Sequence, residues 1–357
     1  MAWKTQESAS CKVRFVSRPR KPSTGVNILA VAERAGVSPM TVSNVFHGRG
    51  RVSEATRERV QRIIEEVGYK PSEHSLRLQG RAINNIGFLQ FSARIESLYV
   101  NATVRAIALA MANKGLHLLS RDVARALPDH TERAAEELIK EGAQALILPP
   151  PFGEYLDKSD YFKGLSIPAV AILTIAPFEN MATVRFDNRT SIFDLVKLLV
   201  DRGRRRIALI TGHPAHLDCA VRMQAFRDAC LAYGIEVRED WVVTGDYTFT
   251  SGRLAAQHLL DMADRPDAIV ALNDDMAAGA IGVAHAKGIS MPDQLAITGF
   301  DDVGLAHFLS PSLTTVRQPL DAIARKAVSL ITDRPISAPW EKGDFIVPYS
   351  LSIRESA

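Results

Sequence analysis

From Asn85 onward the chain alternates short apolar runs with amphipathic stretches, and that alternation confines it to a parallel α/β architecture. The runs are IGFLQF (86–91), LHLLS (116–120), ALILP (145–149), AVAIL (169–173), TVRF (183–186), IALIT (207–211), AIVAL (268–272) and LAITGF (295–300). Helical stretches lie between them, at 130–141, 191–202, 220–233, 251–262 and 274–287. Strands alternating with helices of this length build parallel sheets covered on both faces. Residues 85–357 are too many for one such sheet, so two α/β lobes are expected.

Ahead of this body the periodicity changes. In NILAVAERAGVSPMTVSNVFHG, Ile28, Val31, Ala32 and Ala35 recur at helical spacing, and Gly36 ends the helix. Ser38 is a natural N-cap, with Pro39 at the first helical position, where its missing N–H costs nothing. The second helix buries Val42, Val45 and Phe46 and leaves Pro39, Met40, Thr41, Ser43, Asn44 and His47 outward. A third helix, capped by Ser53, buries Val60, Ile63, Ile64 and Val67 and stops at Gly68. Two short helices around a glycine turn form a helix-turn-helix. The outward face of its second helix is small, polar and uncharged, with Arg34, Arg49, Arg51, Arg57 and Arg59 flanking it. Such a face suits base edges, and the arginines suit phosphates.

Charge follows the same boundary. The formal net charge is only +3, but residues 1–81 hold 15 Lys+Arg against 7 Glu and no Asp, a local +8. The remaining residues carry 28 Lys+Arg and 33 Asp+Glu, a local −5. A basic head on a mildly acidic body is the footprint of a polyanion-binding protein. Residues 1–26 mix Ser, Pro, Arg and Lys without periodicity and are expected to be a disordered basic extension.

Several classes are disfavoured. No run approaches the ~20 apolar residues of a membrane span, and the N-terminus lacks the apolar core of a secretory signal. Cys11, Cys219 and Cys230 form no CxxC pair, so a cytoplasmic setting without disulfides or a zinc site is expected. No phosphate loop, HExxH or GxSxG motif is present, and neither an enzyme nor a cofactor is expected. The pairs Asp274-Asp275 and Asp301-Asp302 follow strands and could hold Mg²⁺. Neighbouring side chains on a loop point different ways, however, and Asp is also a common helix cap.

The pieces VAERAGVSPMTVSNVFHG, VSEATRERVQRIIEEVGYKPS and SLRLQGR resemble the lactose-repressor (LacI/GalR) family, and the likeness extends over residues 27–357. It implies a helix-turn-helix DNA-binding domain at 27–70, a hinge at 71–84 and a periplasmic-binding-protein-like body at 85–357. The two doubly wound lobes of that body would be joined by three crossovers, near 187, 301 and 317. The resemblance places Pro39, Met40 and Asn44 at base-contacting positions and Ser38, Thr41, Ser43 and His47 at phosphate-contacting ones. A hinge leucine that wedges into the minor groove falls on Leu78, with Leu76 the competing position. The family most often has arginine where this chain has Asn44; asparagine suits bidentate reading of adenine, arginine of guanine.

Arg222, Tyr247, Asn273 and Asp301 stand at strand ends and match effector-contacting positions of the family. Arg222 and Asp301 offer charge-assisted bonds, Asn273 both donates and accepts, and Tyr247 can stack on a ring. Asp187 reads as a structural cap and the GRRRI run (203–207) as a solvated turn. The first lobe departs from the family: many relatives have Asn-Pro-Phe-Phe after the first strand, and this chain has SARIESLYVNA, with Ser92, Arg94 and Glu96. GDYTFTSGR and PPPFGEY resemble a branch tied to control of carbohydrate use.

The expectation is a homodimeric regulator, most simply a repressor. It would bind a pseudo-palindromic double-stranded operator and respond to a small, sugar-like effector, with no membrane partner. The C-terminal IVPYSLSIRESA has no apolar heptads, so no tetramerising helix is expected. The alternatives are a nucleobase or corepressor on the same scaffold, or an α/β enzyme or solute-binding protein with a helical appendage.

Overall fold

A computed structural model of the chain describes residues 28–46, 52–67, 83–91, 97–123, 127–164, 167–333 and 342–357. It divides into two compact units, Met1–Gln79 and Gly80–Ala357. The expected basic extension at 1–26, His47, the hinge residues 71–82 with Leu76 and Leu78, and Ser92, Arg94 and Glu96 lie outside the described residues.

The first unit contains helices α1 (Ile28–Ala35), α2 (Pro39–Phe46) and α3 (Glu54–Val67). Val31, Ala32, Ala35, Val42, Val45, Val60 and Ile64 form its core, with Val37, Val52, Ile63 and Val67 packed at the margin. The turn between α1 and α2 is cut by Gly36 at φ +61°, a left-handed conformation that costs glycine little. Ser38 Oγ accepts from the Thr41 N–H at 3.1 Å, and Ser53 Oγ caps α3 through the Thr56 N–H at 3.4 Å. Each cap is worth about 1 kcal/mol, which matters in a core this small.

The second unit is built from two six-stranded sheets. The first holds β1 (Asn85–Phe91), β2 (His117–Val123), β3 (Ala145–Leu148), β4 (Ala169–Ile172), β5 (Ala182–Arg185) and β11 (Asp344–Ile346), in the order β11-β5-β4-β3-β1-β2. The second holds β6 (Ile207–Thr211), β7 (Val242–Thr244), β8 (Ala268–Ala271), β9 (Ala296–Asp301), β10 (Thr314–Arg317) and β12 (Ser350–Ser352), in the order β12-β10-β9-β8-β6-β7. All described pairings are parallel except β10 with β12. These are two doubly wound lobes of like order. In each the order reverses beside the first strand of the lobe, where such sheets leave a crevice at the strands' carboxyl ends.

Helices α4 (Leu98–Ala112), α5 (Pro128–Lys140), α6 (Phe152–Asp157) and α7 (Asp160–Lys163) belong to the first lobe. Helices α8 (Asn188–Asp201), α9 (Leu217–Ala232), α10 (Phe249–Asp261), α11 (Asp274–Ala286) and α12 (Leu305–Phe308) serve the second. Helix α13 (Leu320–Thr332) packs back on α4 and β4 of the first. The central strands are buried on both faces, which is why they read as unbroken apolar runs. Helices α10 and α11 cross backbone to backbone: a Cβ on Gly252 would lie 2.3 Å from Met276 Cα, and one on Gly279 2.4 Å from the Phe249 carbonyl.

One expected crossing is corrected. The chain does not change lobes near 301, because β9 and β10 pair in parallel in one sheet, with Arg317 opposite Asp301. It moves between sheets after β5, after β10, and again between β11 and β12. The last of these follows only three paired residues on each side, too few to show as a pattern. Strand β10 was also hidden, because two of its three buried residues are threonines: Thr314 Oγ1 donates to the Arg354 carbonyl and Thr315 Oγ1 to Asp274. Asp187 caps α8 through the Thr190 N–H at 2.9 Å. The GRRRI arginines tie loops together: Arg204 binds the Asp293 carbonyl, Arg205 the Val200 carbonyl and Arg206 the Asp264 carboxylate.

Candidate functional site

On the first unit, α2 presents Pro39 and Met40 in its first turn. Met40 is 69% exposed and stands out from a face that is otherwise polar. Asn44 lies four residues on, hence on the same face of the helix, and is half-buried. Ser38 and Thr41 share a hydroxyl–hydroxyl bond at 2.9 Å beside the helix N-terminus. The residues expected to meet bases and those expected to meet phosphates are therefore adjacent. Nothing is described of the Ser43 side chain, and His47 and Leu78 lie outside the described residues.

On the body, the second lobe gathers its polar residues at the carboxyl ends of β6 to β10. Arg222, two turns into α9, is 5% exposed. Its Nε donates to Asn188 Oδ1 at 2.8 Å, its Nη1 to the Leu272 carbonyl at 3.3 Å, and its guanidinium covers the Phe300 ring at 3.7 Å. Asp218, one helical turn before it, approaches Nη1 at 3.5 Å. Burial works against the charge on Arg222, but Asp218, then Tyr247 and Asp301, more than offset it and raise its pKa. The Tyr247 hydroxyl donates to the same Asp218 carboxylate at 3.2 Å. Burial, and then Asp218, push the Tyr247 phenol far above its ordinary pKa, so it remains a donor.

The Tyr247 ring lies against bare backbone. A Cβ on Gly212, just past β6, would fall 1.9 Å from Tyr247 Cζ. His216 meets the ring edge-on at 5.6 Å and His213 meets His216 at 5.8 Å, making an aromatic shelf. Tyr247 has φ +69°, and the Asn273 Nδ2 holds that turn by donating to its carbonyl at 3.0 Å. Asn273 Oδ1 meanwhile caps α11 through the Met276 N–H at 2.9 Å. Both ends of the Asn273 amide thus have partners inside the protein, and it holds the turn that carries Tyr247.

Asp301 ends β9 at φ +120° and is 8% exposed. Its Oδ1 accepts from Gln318 Nε2 at 2.6 Å, and Gln318 Oε1 accepts from the Tyr99 hydroxyl of α4 at 3.1 Å. A chain of hydrogen bonds therefore runs from the second lobe through a crossover residue to the first. Behind it, Asp274 is fully buried, accepting from Thr315 Oγ1 at 2.6 Å and the Val303 N–H at 2.9 Å. Burial pushes the Asp274 carboxyl up to about 7. Burial and then Asp274 raise Asp301 well above the usual carboxylate range, against the pull of Arg222. Asp302 turns the other way, to Arg317, Arg354 and Ser352. The paired aspartates thus do not converge, and no group of three or more metal-ligating side chains is present among the described residues.

Arg222, Tyr247, Asn273 and Asp301, picked from the sequence, stand together. Asp218, Gln318, Tyr99 and Asn188 were missed. Asp218 carried a signal, an acid four residues before a basic partner on one helix face. Gln318 directly follows β10 and Tyr99 stands in the first turn of α4, two elements that the apolar pattern did not reveal. Among the described residues no helix is long and apolar enough to cross a membrane.

Residues 27–72 match the bacterial regulatory proteins of the lacI family, and residues 196–357 match a periplasmic binding protein-like domain. The HTH-type transcriptional repressor CytR of Escherichia coli (strain K12) is 32% identical over 343 residues, 95% of this chain and 98% of that protein. The HTH-type transcriptional regulator CelR of Thermobifida fusca is 31% identical over 352 residues, 96% of this chain and 100% of that one. A solved CelR–cellobiose complex superposes with a TM-score of 0.66 at 29% identity, covering 93% of this chain and 100% of that chain. With a helix-turn-helix head, a body of two doubly wound lobes and end-to-end likeness to these regulators, the chain belongs to the lacI family of bacterial regulatory proteins.

Proposed function

We infer that this regulator is a homodimeric repressor whose α2 reads a pseudo-palindromic operator and whose interlobe cleft takes a small sugar as effector. The observation that carries the reading is the convergence of Arg222, Asp218, Tyr247 and Asp301 at the strand ends, with Tyr99 of the other lobe linked to them through Gln318. An aromatic face beside charged hydrogen-bonding groups suits a sugar ring, which is apolar on its C–H faces and polar at its rim. CelR, solved with cellobiose, lends weight to a sugar.

On DNA, Pro39 and Met40 offer apolar contacts, Asn44 reads a base edge, and Ser38, Thr41, Ser43 and His47 hold phosphates. Leu78 is the minor-groove wedge. A two-fold dimer sets half-sites about one helical turn apart. Effector control requires the ligand to bind one lobe arrangement more tightly than the other, because equal affinity shifts nothing. Arg222 and Asp301 come from the second lobe and Tyr99 from the first, so closing the cleft around a ligand is where such a difference arises.

The test is a thermal-shift screen of sugars and nucleobases on the full chain, with operator release measured alongside. Asp301→Ala is expected to keep operator binding and lose the response. A response that survives the substitution removes Asp301 from the effector site. A nucleobase that releases operator while sugars do not replaces the sugar reading.

A further inference from the structure

We propose that Asn188 is a positioning residue of the effector cleft: standing where the chain has just passed from the first lobe to the second, it fixes the direction in which Arg222 reaches. The proposal rests on the effector-cleft reading above and deepens it, naming the residue that sets the geometry of the site's arginine.

Arg222 and Asn188 are both almost fully buried, at 5% and 6% exposure. Arg222 Nε donates to Asn188 Oδ1 at 2.8 Å. A guanidinium only donates, so this bond decides how the Asn188 amide is turned, with its oxygen toward Arg222 and Nδ2 away. Phe300 covers the same guanidinium at 3.7 Å, and the Leu272 carbonyl accepts from Nη1 at 3.3 Å. An arginine side chain is long and freely rotating, but a planar group held at Nε and laid on a ring keeps one orientation. Among the described residues, these bonds and the approach of Asp218 use Nε and Nη1, so Nη2 is the nitrogen left to a ligand.

Asn188 is itself held in place. It is the first residue of α8, and Asp187 before it caps that helix through the Thr190 N–H at 2.9 Å and the Thr190 hydroxyl at 2.7 Å. The Asn188 carbonyl accepts from Ser191 Oγ at 2.8 Å. Two residues earlier, Phe186 directly follows β5 of the first sheet, and its ring meets Phe300 at 6.1 Å. Tyr349, between β11 and β12, meets Phe186 in turn at 6.4 Å. Asn188 and Phe186, on either side of Asp187, therefore hold the Arg222–Phe300 pair from one short stretch of crossover. One does so by a hydrogen bond, the other through the ring on which Arg222 lies. A side chain fixed in this way loses little freedom when a ligand takes it up, so the affinity it confers depends on its being held.

The experiment uses the full chain as wild type, Asn188→Leu, Asn188→Asp and Arg222→Lys. Asn188→Leu keeps the bulk and removes the acceptor. Asn188→Asp keeps the oxygen that meets Arg222 and loses Nδ2. The first readout needs no ligand: the Nε–H resonance of Arg222 in nitrogen-15 arginine-labelled protein, assigned by its absence from Arg222→Lys. That proton is expected to exchange slowly with water in the wild type and in Asn188→Asp, and at least tenfold faster in Asn188→Leu. Unchanged exchange in Asn188→Leu overturns the proposal.

The second readout is affinity for glucose, galactose, ribose and cellobiose, titrated well below the melting transition. For whichever of these the wild type binds, Asn188→Leu is expected to weaken binding at least tenfold, and Asn188→Asp by no more than about threefold. Added to Arg222→Lys, Asn188→Leu is expected to cost less than a further twofold, because its effect passes through Arg222. A full further loss there overturns the proposal. So does a lowered Tm with unchanged affinity, which makes Asn188 structural alone, and so does an equal loss in Asn188→Asp, which makes Nδ2 a ligand contact. If none of the four sugars binds the wild type, the sugar reading fails instead, and the Nε–H signal still decides whether Asn188 holds Arg222.

Discussion

Gln318 Nε2 donates to Asp301 Oδ1 at 2.6 Å, and this bond is the point where the two lobes' polar networks join. The same carboxamide accepts from Tyr99 at 3.1 Å, so its orientation is fixed from both sides. Gln318 also stands directly after β10, where the chain leaves the second sheet. A lobe movement that separates Tyr99 from Asp301 must break one of the two bonds.

Gln318→Leu keeps the bulk and removes both bonds. It leaves the Asp301 carboxyl and the Tyr99 hydroxyl buried without this partner, at about 1–3 kcal/mol for each group. The Tm of the body is expected to fall and the effector response to weaken sharply, while an operator-binding assay without effector changes little. Urea unfolding and operator release on the same preparation separate the two effects. An unaltered response would show that the Tyr99–Gln318–Asp301 chain is a structural tie alone.

Gly212 and Tyr247 make a second close pair, because the ring occupies the space a Cβ would need. Gly212 is not in the left-handed region, so alanine there brings no backbone penalty of its own. Gly212→Ala is expected to displace the Tyr247 ring and its bond to Asp218, cutting effector affinity at least tenfold at a cost of about 1–3 kcal/mol in stability from overpacking. Calorimetric titration with the sugar found in the screen reads the affinity. Wild-type affinity in the variant would remove Tyr247 from the ligand surface.

How much of this was legible in the sequence depended on the kind of signal. The buried central strands announced themselves as apolar runs, and the head was spelled out by Gly36, Ser38 and Pro39. Strand β10 did not show, since a threonine strand that hydrogen-bonds sideways to Asp274 and Arg354 looks like a loop. That omission hid Gln318 at its end; the crossing that the resemblance implied at 301 lies instead between β11 and β12. Arg222, Tyr247, Asn273 and Asp301 could be picked because each matches a family position, and the fold brings them to one region. Tyr99 could not, because nothing in ESLYVNA shows that Gln318 would join it to Asp301. Contacts made across a crevice by two sheets leave no local trace in either.

Asn44 shares the outward face of α2 with Met40, one turn apart, and is half-buried. Asn44→Ala is expected to relax base preference at one position in each operator half-site, by about 1–3 kcal/mol for a bidentate contact, with the remaining positions unchanged. Selection from a randomised operator library by wild type and variant measures it. Identical base profiles would take Asn44 out of direct readout.

Asp274 supplies the pH test. Its folded pKa of about 7 lies above the 3.8 of the free carboxyl, with burial the leading cause. Between those values the folded protein holds a proton that the unfolded chain has lost. This contribution to stability is therefore present in acid and declines as pH rises from about 4 through 7, the reverse of a salt-bridged aspartate. Asp274→Asn has no such proton, while its oxygen can still accept from Val303 N–H and its amide can donate to Thr315. The Tm of the variant minus that of the wild type is expected to grow between pH 5 and pH 8. Each step of one in pH inside that window removes up to about 1.4 kcal/mol from the wild type, or about 3–6 °C at roughly 2–4 °C per kcal/mol for a domain of about this size. Asp301 is raised by burial and then by Asp274, so the substitution also eases Asp301; both changes favour the variant as pH rises, and the difference reads the pair. A difference that stays flat with pH, or shrinks toward pH 8, would show that Asp274 ionises normally in the folded protein and does not hold its proton behind Asp301.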